Sequence, residues 1–494
     1  MVAIAVLAVA GLLVWEATLL NTLFLVLLGA WPIWLLLGIG VGAALGATYT
    51  SSRSGRRAGT AVAVLSGFWL VLFGLGASYW QAQLYLQHAT TEDAADAPVF
   101  AERAALSVAR NQAQGRITTN GTLAQSAYLP QTDRFTSLVE QSSNMFGGYT
   151  EVVNQQTAFT GQTTTDNCRF SDAAGKRLGG LLWADLGRQI VWQAGPGIDF
   201  SQADAYGYCA HGADDTLVAK VVVPLKVQTG GWPRLGQPAG VALYDGGSGA
   251  LEIVRDPKVI AGIPGPTLPE SVARELREST AAMGSWWEYT TGVAGFTDTS
   301  ADELDPNADN RSEFVLATTS DPGQAVFVTP LTRRGGSTAI AALGVVGPDQ
   351  RQHVTAADNM PHLTVYLYGP GDERQANSTT ADRIKADFGD LAWASGLQVF
   401  EITPVSTNEW VASIGLRQNV THRVRIAPDG SACLETADGR AIRCSGDNQE
   451  PQPAPEPTTP VTDLDQLTDE QLADLADAVN AEVSKRLRGD DHVE

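Results

Sequence analysis

The sequence predicts a membrane-anchored α+β chain: about three N-terminal transmembrane helices, then an extracytoplasmic ectodomain of two similar antiparallel-sheet-plus-helix modules, a Pro-rich linker and a C-terminal amphipathic helix. Three observations carry this reading. Apolar residues dominate positions 1–80, short β-branched runs bounded by Gly and Asp-Gly turns recur between Cys168 and Cys444, and alternating prolines from Pro451 to Pro460 precede a striped helix. The expected boundaries are an anchor at 1–80, a helical stalk at 81–117, modules at 118–283 and 284–446, a linker at 447–461 and an acidic helix at 462–494.

A bilayer-crossing helix needs about 20 mostly apolar residues. The candidates are Ala3 to Leu28, Ile33 to Tyr49 and Gly59 to Trp80, with Trp31-Pro32 dividing the first two and Asn21-Thr22 an alternative turn. Positive charge marks the cytoplasmic flank of a span, and the basic cluster here is Arg53, Arg56 and Arg57. That loop faces the cytoplasm, so the third span exits through Tyr79 and Trp80 and the chain after about Gln81 is extracytoplasmic. A cleaved signal peptide fits poorly, because the N-terminus lacks a basic n-region.

Two intramembrane features go beyond anchoring. Gly38, Gly42 and Gly46 recur every four residues, a spacing that lets helix backbones approach, either within this chain's own bundle or against another membrane protein. Glu16 is a carboxyl inside the first span, and no Lys, Arg or His in the spans offers it a partner.

The net charge of −21 is uneven: Gly446 to Glu494 holds 13 acids against Lys485, Arg486 and Arg488. No basic stripe exists to neutralise phosphates, which excludes nucleic acid as a partner class. Richness in Ala, Gly and Arg with little Lys points to a GC-rich bacterial genome; with the spans and their orientation, the expectation is a multi-pass cell-membrane protein of the bacterial cell envelope whose C-terminal portion is extracytoplasmic. All four cysteines, Cys168, Cys209, Cys433 and Cys444, fall on that outer side, where an even count implies two disulfides. Cys433 and Cys444 flank Asp438-Gly439, a strong hairpin turn. An ideal two-residue turn makes them a hydrogen-bonded pair, which suits a disulfide less well, and a bulge or longer turn would repair it. Cys168 then pairs with Cys209.

Beyond the membrane, helical spacing continues through Tyr85 and Leu86, and Pro98 opens a second helix with Leu106 and Val108 on its apolar side. Thr118 to Thr165 starts the first module. Leu217 to Val223, Gly240 to Tyr244 and Leu251 to Val254 read as an antiparallel meander, and Pro269 starts a helix reaching Met283. The second module repeats the pattern at Phe314 to Thr318, Ala325 to Thr329 and Ala339 to Val346. Val328-Thr329-Pro330-Leu331 echoes Val222-Val223-Pro224-Leu225, and Ile402-Thr403-Pro404-Val405 is a third echo. This internal repeat rests on prolines at strand edges, a common position.

The prolines of the linker keep it extended. Thr468-Asp469-Glu470-Gln471 then forms a capping box, and Leu472, Leu475, Val479, Val483 and Leu487 follow on one face, acids early and bases late. A helix this short with a bare apolar stripe needs a partner: a coiled coil with itself, the ectodomain, or another protein.

Recurrent catalytic spacings are absent from the sequence: there is no G-x-S-x-G, H-E-x-x-H, Walker loop or dinucleotide fingerprint. Asp305, Asn307 and Asp309 resemble the start of a calcium loop, the one cofactor hint, but Asn310 stands where a Gly should follow and Leu316 where a Glu should close it. Trp286, Trp287 and Tyr289 line a groove or pack in a core. The expectation is a non-enzymatic envelope protein that assembles with other envelope or membrane proteins, or with its own copies. A ligand-binding or sensory ectodomain working through a partner membrane protein is the alternative, and an extracytoplasmic hydrolase the third.

Overall fold

The apolar N-terminus forms α1 (Ala17–Gly29), α2 (Trp31–Tyr49) and α3 (Arg53–Gln87) in a computed structural model that describes residues 17–29, 31–50, 52–141, 147–157, 163–212, 216–229, 235–298, 314–323, 325–335, 339–347, 361–416 and 419–445. Helices α2 and α3 are long and apolar enough to cross a membrane. Small residues let them pack as a hairpin: a Cβ on Gly40 would lie 3.3 Å from the Ser66 Cβ, and one on Gly59 2.7 Å from the Ala43 carbonyl oxygen. Ser52 caps α3, its hydroxyl accepting the Gly55 N–H at 3.0 Å. Trp34, Phe68 and Trp69 project outward at 50–58 % exposure, where the core helix of a globular domain would bury them.

The first expected span lies partly outside the described residues, as does Glu16. Its described part, α1, is tied to the ectodomain: the Asn21 amide donates to the Ile198 carbonyl at 2.6 Å and accepts the Gly197 N–H at 2.8 Å.

Residues 81–117, expected as a helical stalk, take a different course. Helix α3 has 35 residues, and its last turns enter the ectodomain, where Ala82 and Tyr85 are buried. Directly after it, β1 (Ala89–Asp93) runs parallel to β15 (His362–Leu367), with Ala89 opposite Leu363. An extended segment follows: the Thr319 N–H donates to the Val99 carbonyl, the Phe100 N–H to Val405 and the Ala101 N–H to Ala317, at 2.7–2.9 Å. After a 3-10 turn at Ala94–Asp96 and this extended stretch, the next α-helix is α4 (Leu106–Gln114). The reason is non-local. These partners lie more than 200 residues downstream, so helical spacing near Tyr85 could not reveal them.

Among the described residues, four sheets make up the part of the chain that follows α3, the expected ectodomain. The first is a meander of β2 (Thr122–Leu129), β3 (Arg134–Glu140), β4 (Tyr149–Thr157) and β5 (Thr163–Arg169). In the second, β8 (Leu217–Thr229) is central: β6 (Ile198–Asp199) and β7 (Tyr206–His211) share one edge, and β9 (Leu235–Asp245) then β10 (Leu251–Val254) follow on the other. The third has the same arrangement around β13 (Ala325–Arg333), with β11 (Phe296–Asp298) and β12 (Phe314–Ala317) on one edge and β14 (Ile340–Gly347), β15 and β1 on the other. The fourth is a meander of β16 (Gln398–Pro404), β17 (Trp410–Leu416), β18 (Asn419–Ile426), β19 (Ala432–Thr436) and β20 (Ala441–Cys444). Helices α5 (Leu186–Ala194), α6 (Glu270–Glu278), α7 (Trp286–Thr291) and α8 (Asn377–Asp387) pack between and beside the sheets.

The proline echoes acquire a physical meaning here. Proline lacks the N–H that a ladder requires, so in a central strand it belongs at a bulge. Pro224 and Pro330 each precede a Leu followed by a register shift, at Leu225/Lys226 in β8 and Leu331/Thr332 in β13. Pro404 instead ends the edge strand β16, opposite Trp410.

Cys168 is joined to Cys209, linking the first sheet to the second, and Cys433 to Cys444 across β19 and β20. In that hairpin Gly439 takes φ +83°, and a bulge between Leu434 and Glu435 adjusts the register and brings the two Cα atoms to 3.9 Å. Apolar clusters hold the sheets together, three of them large. One joins the first two sheets through Leu138, Val152, Val221 and Tyr244, one packs α6 and the end of α3 on the third sheet, and one seats α8 between the third and fourth.

Candidate functional site

All four sheets contribute to a cavity of about 60 Å³: Tyr128 from the first, Tyr206 from the second, Phe327 from the third and Glu401 from the fourth. Arg103 enters it from the segment before α4. Its Nη1 donates to Glu401 Oε2 at 3.0 Å, its Nε donates to the Val315 carbonyl at 3.1 Å, and its guanidinium lies 5.5 Å from the Tyr128 ring centroid. The other Glu401 oxygen accepts the Leu106 N–H at 3.1 Å, so a fourth-sheet carboxylate caps α4 where anionic charge is favoured. Neighbouring Glu102 is bonded to Arg423 and Arg425.

Asp204 also lines this cavity and accepts the Ser271 hydroxyl at 3.3 Å. Burial, reinforced by the Glu270 carboxylate, pushes its carboxyl up to about 6. A carboxyl titrating there suits acid–base work, but the volume admits only a few waters, against roughly 300–1,000 Å³ for ordinary ligand pockets. The Arg103–Glu401 pair is turned on itself. The arrangement holds sheets together.

A second cleft of about 200 Å³ lies beside α8, lined by Arg374, Arg383, Trp410 and Asp429. Arg374 donates from Nε and Nη2 to the Thr407 carbonyl at 2.9 and 2.7 Å and stacks 5.4 Å from the Trp410 ring centroid. It fastens the β16–β17 turn. Among the described residues no group of three or more His, Cys, Asp or Glu could hold a metal ion. Asp305, Asn307 and Asp309 lie outside the described residues, as do Leu472, Leu475, Val479, Val483 and Leu487. Trp286 and Tyr289 turn toward α3, the Trp286 indole N–H donating to Ser78 Oγ at 2.9 Å and Tyr289 lying edge-on to Tyr85, while Trp287 stays exposed.

The glycine stripe of α2 is placed differently from the residues that close the hairpin. Gly40, Ala43 and Ala47 face α3, but a Cβ added at Gly38, Gly42 or Gly46 would meet nothing within 4 Å among the described residues. Rotation explains the split, since at about 100° per residue Gly40 sits some 200° round the helix from Gly38. The outer side of α3 is likewise open at Gly67 and Gly74. The hairpin therefore carries two small-residue faces, one closed on itself and one open.

Sequence reasoning found the stripe but not its direction, and it missed Arg103 and Glu401 altogether. The available signal was a lone Glu between Phe400 and Ile402 in a β-branched strand. No protein-family model matches this chain, and comparison with curated proteins gives no match.

Proposed function

We propose that this chain is a membrane-anchored envelope protein that assembles with other copies or with other membrane proteins through the open face of α2, and that holds its ectodomain rigidly on the outer side. The observation that carries the reading is the stripe at Gly38, Gly42 and Gly46, which no described residue of the chain covers. In lipid, helices associate by close packing, and small residues every four positions provide the surface for it. The unbroken run of α3 into the ectodomain core supports the rigid coupling. The Asn21 contacts tie the described part of α1 to the ectodomain at the outer end of the α2–α3 hairpin. The disulfides and the arginines in the first turns of α3 support an extracytoplasmic ectodomain.

The test is cross-linking of the full-length chain in its native membranes, beside Gly42→Leu. A Cβ at Gly42 meets nothing within 4 Å among the described residues, so folding and the melting temperature stay unchanged, while the cross-linked assembly falls by about tenfold. An assembly that survives Gly42→Leu at full yield defeats this reading.

A further inference from the structure

A bilayer's hydrocarbon core is about 30 Å thick, which at 1.5 Å per residue is ~20 residues of helix. Counted from Arg57, the last arginine of the cytoplasmic cluster, that length ends near Ala77. Ser78, Tyr79 and Trp80 therefore stand at the outer headgroup level, where Trp and Tyr rings are favoured. Helix α7 is fixed at the same level. The Trp286 indole N–H donates to Ser78 Oγ at 2.9 Å, and its ring is edge-on to Tyr79 at 6.4 Å. From that position Trp287 projects with 66 % exposure and Val293 with 59 %. These large apolar groups belong to the ectodomain, yet they stand beside the helix where it leaves the membrane.

The rest of the segment suits that depth. Between Ser279 and Thr297 the one charged residue is Glu288, and its carboxylate is folded back, accepting the Ser285 N–H at 2.8 Å and the Ser285 hydroxyl at 3.0 Å. The Thr290 and Thr291 hydroxyls donate to the Trp287 carbonyl at 2.9 and 2.8 Å. Polar groups here are satisfied internally, leaving an amphipathic tip with little charge to desolvate.

We infer that α7 seats the ectodomain on the outer leaflet, with Trp287 and Val293 inserted among the lipid headgroups and upper acyl chains beside Tyr79 and Trp80. The occupant of this surface is lipid, because the geometry of α3 brings the tip to headgroup height whatever else surrounds the anchor. The seat gives the ectodomain a further attachment at the outer leaflet, beside the run of α3 into its core and the Asn21 contacts of α1.

The experiment uses the full chain in nanodiscs of phosphatidylcholine, with and without bromine at acyl carbons 6 and 7, for the native protein and Trp287→Phe. The chain has 12 tryptophans, so the difference between the two emission spectra isolates Trp287. Bromine should quench that difference at least twofold, and aqueous iodide should leave it nearly untouched. Quenching by iodide and not by bromine overturns the inference in favour of a solvent-exposed tip; shielding from both overturns it in favour of a protein cover. Should Trp287→Phe fail to fold, Val293→Cys carrying a nitroxide reads the same question, oxygen-accessible if seated in lipid and accessible to a water-soluble nickel chelate if not.

Discussion

At the junction of the four sheets, Arg103 and Glu401 bring opposite charges together where each side chain is 3 % exposed; between α2 and α3, Gly40 and Gly59 bring backbones together with no charge. Both contacts join segments that must hold a fixed geometry, but they use different physics. Among the four sheets apolar burial is plentiful and non-directional, and a charged pair adds direction, fastening the start of α4 to one place on β16. Inside a membrane apolar surface attracts nothing in particular, because lipid tails are as apolar as leucine, and shape alone remains. The contrast predicts which substitutions each region tolerates. Charge deletion should matter in the first and added volume in the second.

The largest effect belongs to Glu401→Gln. Removing the charge leaves the Arg103 guanidinium buried with only carbonyl acceptors and weakens the cap on α4. Breaking a buried pair on one side costs about 3–5 kcal/mol, so the urea midpoint of the ectodomain transition should fall accordingly in the detergent-solubilised chain. Replacing both partners, as Arg103→Met with Glu401→Leu, should recover much of the loss, since an apolar pair of similar volume often serves as well. A single-variant loss below about 1 kcal/mol would place the pair among ordinary surface bridges and erase the contrast.

How much of this was visible in the sequence follows from the range of the interactions concerned. The strand Leu251–Val254 coincides with its expected run and Ala325–Arg333 begins where its run was expected, because alternation and Gly turns are local signals. Helix α6 was legible from Pro269, which starts it. The destination of residues 89–105 was not, because Ala89 pairs with Leu363 and Phe100 with Val405 and Thr318, contacts that no window of a dozen residues contains. The glycine stripe was legible as a spacing, but which face it occupied depended on Ala43, Ala47 and Ser66, whose roles appear only when α3 is laid beside α2.

In the membrane the sharper test is Gly59→Leu. A Cβ there would lie 2.6 Å from the Ala47 Cβ and 2.7 Å from the Ala43 carbonyl, so the helices must separate. Overpacking of this kind costs about 2–3 kcal/mol, and distance measurement between spin labels on α2 and α3 should show the hairpin opening. The same measurement on Gly42→Leu should show no change, because that face is open. Equal effects at the two positions would mean that the two faces are not distinct.

The smallest effect returns to the junction and asks whether every charge there is helpful. Among the described residues no arginine is bonded to Asp204, unlike Glu401; burial and the Glu270 carboxylate push it up to about 6, and the Ser271 hydroxyl, Lys226 and Arg274 only partly offset this. An aspartate in the unfolded chain titrates near 4, so the folded form binds the proton more tightly. Stability therefore falls as pH rises from about 4 to about 6: below this window both forms are protonated and the site costs nothing, and above it the folded form carries an ill-solvated carboxylate. A shift of two units corresponds to ~3 kcal/mol at most, and partial contact with solvent reduces it to roughly 1–2 kcal/mol. Asp204→Asn keeps a group able to accept the Ser271 hydroxyl without the charge. It should raise the melting temperature at pH 8 and have no advantage at pH 4, the pH slope opposite to that of a stabilising ion pair. A loss at pH 8 would show that Asp204 is held by a favourable partner as Glu401 is, and the junction would then be uniformly built from paired charges; a pH-independent gap would show that the carboxyl titrates alike in the folded and unfolded chain.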